Sequence, residues 1–316
     1  MERDKEVDIS KGIGILLSIF GHLNYTFVHA FIYMFHMPLF YFISGFLFKP
    51  QKYTFKQFIL RKLRTIVVPY FVLGAIIMAF DYFEHGKVQI VELLVQRRYL
   101  PLWFLTSLFF TEIIFYLLNN FISSNYLKGI IVVLLFLFGN ILSNFIDTAL
   151  PWNVDSVCFA LVFYYFGYLF SKYKEKILNK KKMLMVSSII ILPTIFVIEM
   201  KIFGKIVDIF SNNYGIFPLN IVSALSGIVV VYCISIYIEK NKIISKILCY
   251  IGKNSLVFFA LQGIPICSYV INLNTKMFDY SRVIYCVLTV IELICIIIIL
   301  GVINEVLKIT KIKKIL

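Results

Sequence analysis

The sequence predicts an all-α fold, a polytopic membrane helix bundle of about ten transmembrane helices. Three observations predict it. The 316 residues are 60% hydrophobic, with a mean hydropathy of +0.89, where a soluble domain is roughly 45–50% apolar. The apolar residues fall in runs near the ~20 residues that a helix needs to cross a bilayer. Lys and Arg collect between alternate runs, which is the signature of membrane topology.

Taken in order, the spans are expected near 7–26, 30–48, 63–82, 101–120, 128–146, 155–171, 183–200, 217–237, 254–272 and 283–305. The first is preceded by charges, as a signal peptide is. Asp8 and Lys11 interrupt its apolar run, however, and no small-residue cleavage site follows His22, so it reads as a retained span. The sixth is short enough for a tilted or partly re-entrant helix. No long polar stretch separates the runs, so residues 1–316 are expected to form one integral membrane domain.

The net charge of +14 would suggest nucleic acid in a soluble chain. Here the lysines lie between apolar spans, so topology explains them and no nucleic-acid partner is expected. With the N-terminus cytoplasmic, 24 of the 31 Lys and Arg fall on the cytoplasmic side, in segments before His22, Lys49–Arg64, Lys128, Lys172–Lys182, Lys240–Lys253 and after Glu305. That bias predicts both termini inside and an even number of spans. The run Lys172–Lys182 reads as a topology determinant near anionic lipid. Of the six cysteines, Cys158, Cys233, Cys267, Cys286 and Cys295 lie in or at the edge of spans and Cys249 in a basic loop. None forms a C-x-x-C pair, so they read as small buried hydrophobes.

Ionisable groups inside spans are costly and usually face a bundle interior or a wet cavity. The first span carries Asp8, Lys11 and His22, and the second carries His36 followed by Pro38. Lys11 and His22 are eleven residues apart, about three turns, so they share a face roughly 16 Å apart along the axis. Gly12, Gly14 and Gly21 would admit a close helix or ligand along that span. A histidine can take the proton that a hydroxyl must lose to attack a thioester, or carry the acyl group itself. The bland alternative for His22 is a satisfied buried imidazole. Lys11 can orient a phosphate or stabilise a thioester oxygen; alternatively it snorkels to the interface, paired with Asp8. His36 can orient His22 or the acceptor, and Pro38 can kink the span. His29 and His85 fall in or near outer loops, apart from this chemistry.

Further along, Arg61 and Arg64 sit one turn apart at the expected start of the third span, where charge and a helix N-terminus both suit phosphate; ordinary positive-inside charge is the alternative, as Lys62 beside them shows. Trp103 and Asp155 lie near the outer ends of their spans and suit a sugar acceptor, by stacking and hydroxyl hydrogen bonds, or else mark the interfacial belt. Glu112 and Glu292 are buried candidates that can pair with a lysine or histidine, and Asn254, Ser255 and Gln262 can line the same cavity. No H-E-x-x-H motif or Cys/His cluster is present, so no protein-bound metal is expected.

Six segments occur in order along the chain: Lys11 and His22 with ten residues between them, FHMPLFYFISG from Phe35, RKLR with Arg61 and Arg64, LWFLTSLF from Leu102, WNVDS from Trp152 and IGKNSL from Ile251. Together they resemble the acyltransferase-3 family of integral membrane acyltransferases, and most of all its fucose-acetylase-like, polysaccharide-modifying branch. The resemblance implies a catalytic histidine at His22, a required basic residue at Lys11 and acyl-CoA recognition by Arg61 and Arg64. A lysine stands at position 11 where many members have arginine, giving a point charge in place of a planar fork.

On these grounds the sequence is expected to encode a plasma-membrane O-acetyltransferase that takes acetyl-CoA as donor and a glycan or glycolipid hydroxyl as acceptor. A transporter or flippase of a glycan precursor shares the spans and buried charges. It does not explain the order of the six segments, and the inverted repeats common in transporters are not found. A family enzyme acting on a small cytoplasmic acceptor is the third possibility.

Overall fold

The computed structural model describes residues 4–23, 27–49, 52–86, 90–97, 102–143, 145, 149–205, 207–263, 282–310, 312 and 316. It is an all-α polytopic bundle. In chain order its helices are α1 (Lys5–Leu23), α2 (Phe27–Tyr33), α3 (His36–Phe46), α4 (Phe55–Lys62), α5 (Val68–His85), α6 (Ile90–Val95), α7 (Trp103–Phe121) and α8 (Asn125–Leu142). There follow α9 (Val157–Leu178), α10 (Lys181–Lys201), α11 (Leu219–Ile238), α12 (Lys242–Lys253), α13 (Ser255–Leu261) and α14 (Arg282–Ile309).

Among the described residues, eight segments are long and apolar enough to cross a membrane, and α12 with α13 makes a ninth if that pair, bent by 69°, is one span. Helix α1 lies outside this count because Lys5, Glu6, Asp8 and Lys11 crowd its first turns. Those charges are tolerable because α1 is central: α3, α11, α12, α13 and α14 all pack on it. Its closest neighbour is α12. A Cβ on Gly12 would collide with the Leu248 carbonyl, and one on Gly252 with the Asp8 carbonyl, so two backbones meet where only glycine fits.

Several expected boundaries move. The third span begins at Phe55, where Thr54 and Gln57 form a reciprocal capping box, and not near residue 63. A π-helical stretch, Leu63–Val67, joins α4 to α5. The sixth span is not short. It runs from Pro151 through α9 to Leu178, because the lysines after Leu169 continue the helix after hydropathy falls. The second span runs Phe27–Phe46, with a local turn at Met34–Phe35 that places Pro38 in the first turn of α3, where a missing N–H costs no hydrogen bond. Much of the expected ninth span, with Cys267, lies outside the described residues, as do the side chains of His85 and Cys286.

The basic segments that topology groups together do meet at one end of the bundle. Lys174 pairs with Asp4 at 3.5 Å, Tyr116 Oη donates to the Tyr53 carbonyl at 2.9 Å, and Tyr250 Oη donates to Glu305 at 2.5 Å. Lys49, Lys52, Lys128 and Lys172 line one cavity there. This is called the basic end below.

Candidate active site

Lys11 opens into a cavity of about 230 Å³ inside the bundle. Ser44 of α3, Thr65 of the π-helical stretch and Ser255 at the start of α13 share its lining. The π stretch matters here: it turns Thr65 and Ile66 into the cavity, and such bulges recur at functional sites. The 69° bend at Asn254 exposes Ser255 to the same space.

Three rings, Phe40, Phe104 and Phe259, complete the lining, with centroids 5.9, 6.2 and 5.5 Å apart. Phe40 sits against Gly14, one turn past Lys11. One turn further, Ser18 and Gln262 exchange hydrogen bonds of 3.1 and 3.3 Å. The face of α1 from Lys11 towards His22 is therefore polar, then aromatic, then polar again.

At the far end of α1, three histidines gather on one tyrosine. His22 Nδ1 lies 3.4 Å from Tyr33 Oη, with the rings edge to face at 6.1 Å. The His29 ring stacks on Tyr33 at 3.7 Å, and the His36 ring lies 4.6 Å away. His29 Nδ1 is 3.0 Å from the Gly21 carbonyl and His36 Nδ1 is 3.1 Å from the Ile32 carbonyl. A carbonyl only accepts, so each of these nitrogens carries a proton. His22 is exposed, while His36 is buried. His29 is thus not in a loop, as expected from the sequence, but in α2, where it packs into this cluster. Within α2, Tyr33 falls four after His29, a helix-face spacing, but His22, His29 and His36 lie on three different helices, so their regular spacing of seven carries no signal.

The loop between α10 and α11 adds a residue that sequence reading missed. Asp208 accepts from Phe210 N at 3.0 Å and from Ser211 Oγ at 2.5 Å, and its carboxylate acts electrostatically on both His22 and Tyr33. The same loop touches the two expected acceptor residues. The buried Trp103 ring lies 6.2 Å from Phe210, and the Asp155 carbonyl accepts from Tyr214 Oη at 3.4 Å. Asp155 sits in a 3-10 turn, Pro151–Ser156, whose Trp152 and Asn153 have φ of 58° and 53°. One loop therefore touches Trp103 and Asp155 and carries an acid within electrostatic reach of His22.

Arg61 and Arg64 are exposed near the basic end. They do not sit at a helix start, since the helix begins at Phe55, so only their charge remains as a warrant for phosphate. The Arg61 guanidinium lies over the Tyr53 ring at 4.8 Å and donates to its hydroxyl. Lys62 is more than topology charge: its Nζ pairs with the buried Glu112 at 2.6 Å. Glu292 is buried on α14, as expected.

Residues 4–302 match the family model described as an acyltransferase domain. The chain belongs to the acyltransferase-3 family. No curated protein and no solved structure matches it. This acyltransferase-3 member is thus an enzyme that transfers acyl groups other than aminoacyl groups, and its helices make it a multi-pass membrane protein. In the acyltransferase, Lys11 in the second turn of the central helix α1 and His22 in its last turn each have their own surroundings.

Proposed function

We propose that this acyltransferase is an O-acetyltransferase of the polysaccharide-modifying, fucose-acetylase-like branch. It lies in the plasma membrane with both termini cytoplasmic, and moves acetyl from cytoplasmic acetyl-CoA to a hydroxyl of a cell-surface glycan or its lipid-linked precursor. The observation that carries this reading is the helix α1 itself, which has a lysine-lined cavity near the basic end and an exposed histidine braced by Tyr33 at the other.

In this reading Arg61 and Arg64 hold the phosphates of acetyl-CoA. Lys11 receives the polar arm of the donor. At roughly 16 Å from His22 it is too far to stabilise the thioester oxygen once the acetyl group has reached that histidine. The acceptor hydroxyl attacks the thioester carbonyl, its proton passes to Nε2 of His22, the C–S bond breaks and the departing thiolate takes the proton. Neutral His22 has one lone-pair nitrogen, so Nε2 acts as base when Nδ1–H donates to Tyr33 Oη. His36 fixes the far side of Tyr33. Trp103 and Asp155 supply a stacking face and a carboxylate for a sugar.

The test uses inside-out membrane vesicles carrying the protein and acetyl-CoA labelled in its acetyl group. Label is expected in glycan or glycolipid, lost by a factor of roughly 10²–10⁴ in His22→Ala. Absence of both transfer and acetyl-CoA binding would overturn the reading in favour of transport.

A further inference from the structure

A second cavity, of about 630 Å³, opens at the basic end between α7, α8 and α9 and the segment after α3. Lys49, Lys52, Lys128 and Lys172 line it, and no Asp or Glu is among its described lining residues. Lys128 is the most informative of them. It is only 2% exposed, and an ammonium so placed needs a charge or strong dipoles close by. Its Nζ donates to Asn119 Oδ1 at 2.6 Å and stands 5.2 Å from the centroid of the Tyr168 ring. Lys172 stands 4.8 Å from the same centroid, with its Nζ 3.5 Å from Asn125 Oδ1. Lys52 lies 5.7 Å from the Tyr53 ring. The partners of Lys52, Lys128 and Lys172 named here are all neutral. Elsewhere the protein pairs lysines with acids, as at Lys62–Glu112 and Lys174–Asp4.

The cavity therefore concentrates positive charge on a fixed wall of amide, hydroxyl and ring. Like charges held this close repel, and a multivalent anion relieves that repulsion. Phe48, on the cavity wall, packs on Phe115 at 5.2 Å and on Tyr164 at 5.8 Å. Ser44, one turn earlier, faces the Lys11 cavity, so the two spaces are separate.

We propose that this cavity is a phosphate-ester site, filled by the headgroup of an anionic phospholipid or by the nucleotide end of the acyl donor. Both ligands present the same phosphate oxygens to the lysines. The lipid source is independent of the proposed donor, whereas the nucleotide source rests on it. The position at the ends of three spans and the ring wall towards Lys11 favour the lipid.

The experiment compares the full-length protein with Lys52→Gln/Lys172→Gln, both exposed positions, and with the charge-keeping Lys52→Arg/Lys172→Arg. Matched thermal unfolding in detergent confirms that the variants fold. Each protein is extracted from vesicles of equal phosphatidylglycerol and phosphatidylcholine, and retained lipid is counted by native mass spectrometry. Binding of adenosine 3′,5′-bisphosphate is measured separately by calorimetry. The glutamine pair is expected to lose phosphatidylglycerol retention by roughly tenfold or more, with the arginine pair unchanged. Loss of nucleotide binding alone would support the phosphate site and assign it to the donor. A folded glutamine pair that retains both ligands as the wild type does would overturn the proposal, whether or not acetyl transfer occurs.

Discussion

His22 Nδ1 faces the Tyr33 hydroxyl across 3.4 Å, between the end of α1 and the end of α2. This is longer than a relaxed hydrogen bond, as catalytic contacts often are before substrate tightens them. Tyr33→Phe removes the oxygen and keeps the ring on which His29 stacks. The expected outcome is a fall in kcat of about 3- to 10-fold, the worth of one ordinary hydrogen bond, with KM for acetyl-CoA unchanged. Steady-state label transfer over a donor concentration series checks it. A change confined to KM would remove Tyr33 from the positioning of His22.

The Lys62–Glu112 pair gives a stability prediction. Glu112 is buried and Lys62 is its 2.6 Å partner. Lys62→Met strands a buried carboxylate, at a cost of about 3–5 kcal/mol. Apparent Tm in detergent should drop sharply. Lys62→Met combined with Glu112→Leu should recover most of that loss, since no charge then remains to be stranded.

Two glycines separate close packing from helix propensity. Gly252→Ala drives a methyl into the Asp8 carbonyl, whereas Gly301 on α14 has nothing within 4 Å of its added Cβ. Gly252→Ala is expected to destabilise by about 1–3 kcal/mol. Gly301→Ala should leave stability level or raise it by up to about 1 kcal/mol. Parallel melting curves of the two variants decide the matter.

Arg61 and Arg64 are predicted to act on the donor and not on the chemical step. Arg61→Gln and Arg64→Gln should each raise KM for acetyl-CoA about tenfold and leave kcat near wild type. At Arg61, lysine should rescue poorly. The Tyr53 ring and hydroxyl hold a planar guanidinium, which a point charge does not replace.

Much of this was legible in the sequence. Lys11 and His22 stand out because a charged or titratable group inside an apolar run needs a reason, and the spacing of eleven residues puts both on one face. The grouping of the basic segments at one end follows from alternation alone. What was not legible depends on where segments begin and what they fold against. The second span begins at Phe27, three residues before the expected start at 30, and this places His29 and Tyr33 within it, beside His22. Asp208 reaches the cluster only through the fold of its loop. Lys62 looks like one more topology charge until a carboxylate fifty residues later is placed beside it. Hydropathy also ends the sixth span early, because Lys172, Lys174 and Lys176 remain helical beyond the apolar run.

The ring trio of Phe40, Phe104 and Phe259 has a consequence for the cell. A protein that opens a polar cavity near one membrane face and sets titratable histidines towards the other risks becoming a leak for protons. The trio closes on itself at 5.5–6.2 Å between centroids, against Gly14, in the interval of α1 between Lys11 and His22. Ring carbons offer a water wire no hydrogen-bond partner, so this interval of α1 resists proton passage whenever the three rings are together, and in the proposed reaction the acyl arm has to part them on its way to His22.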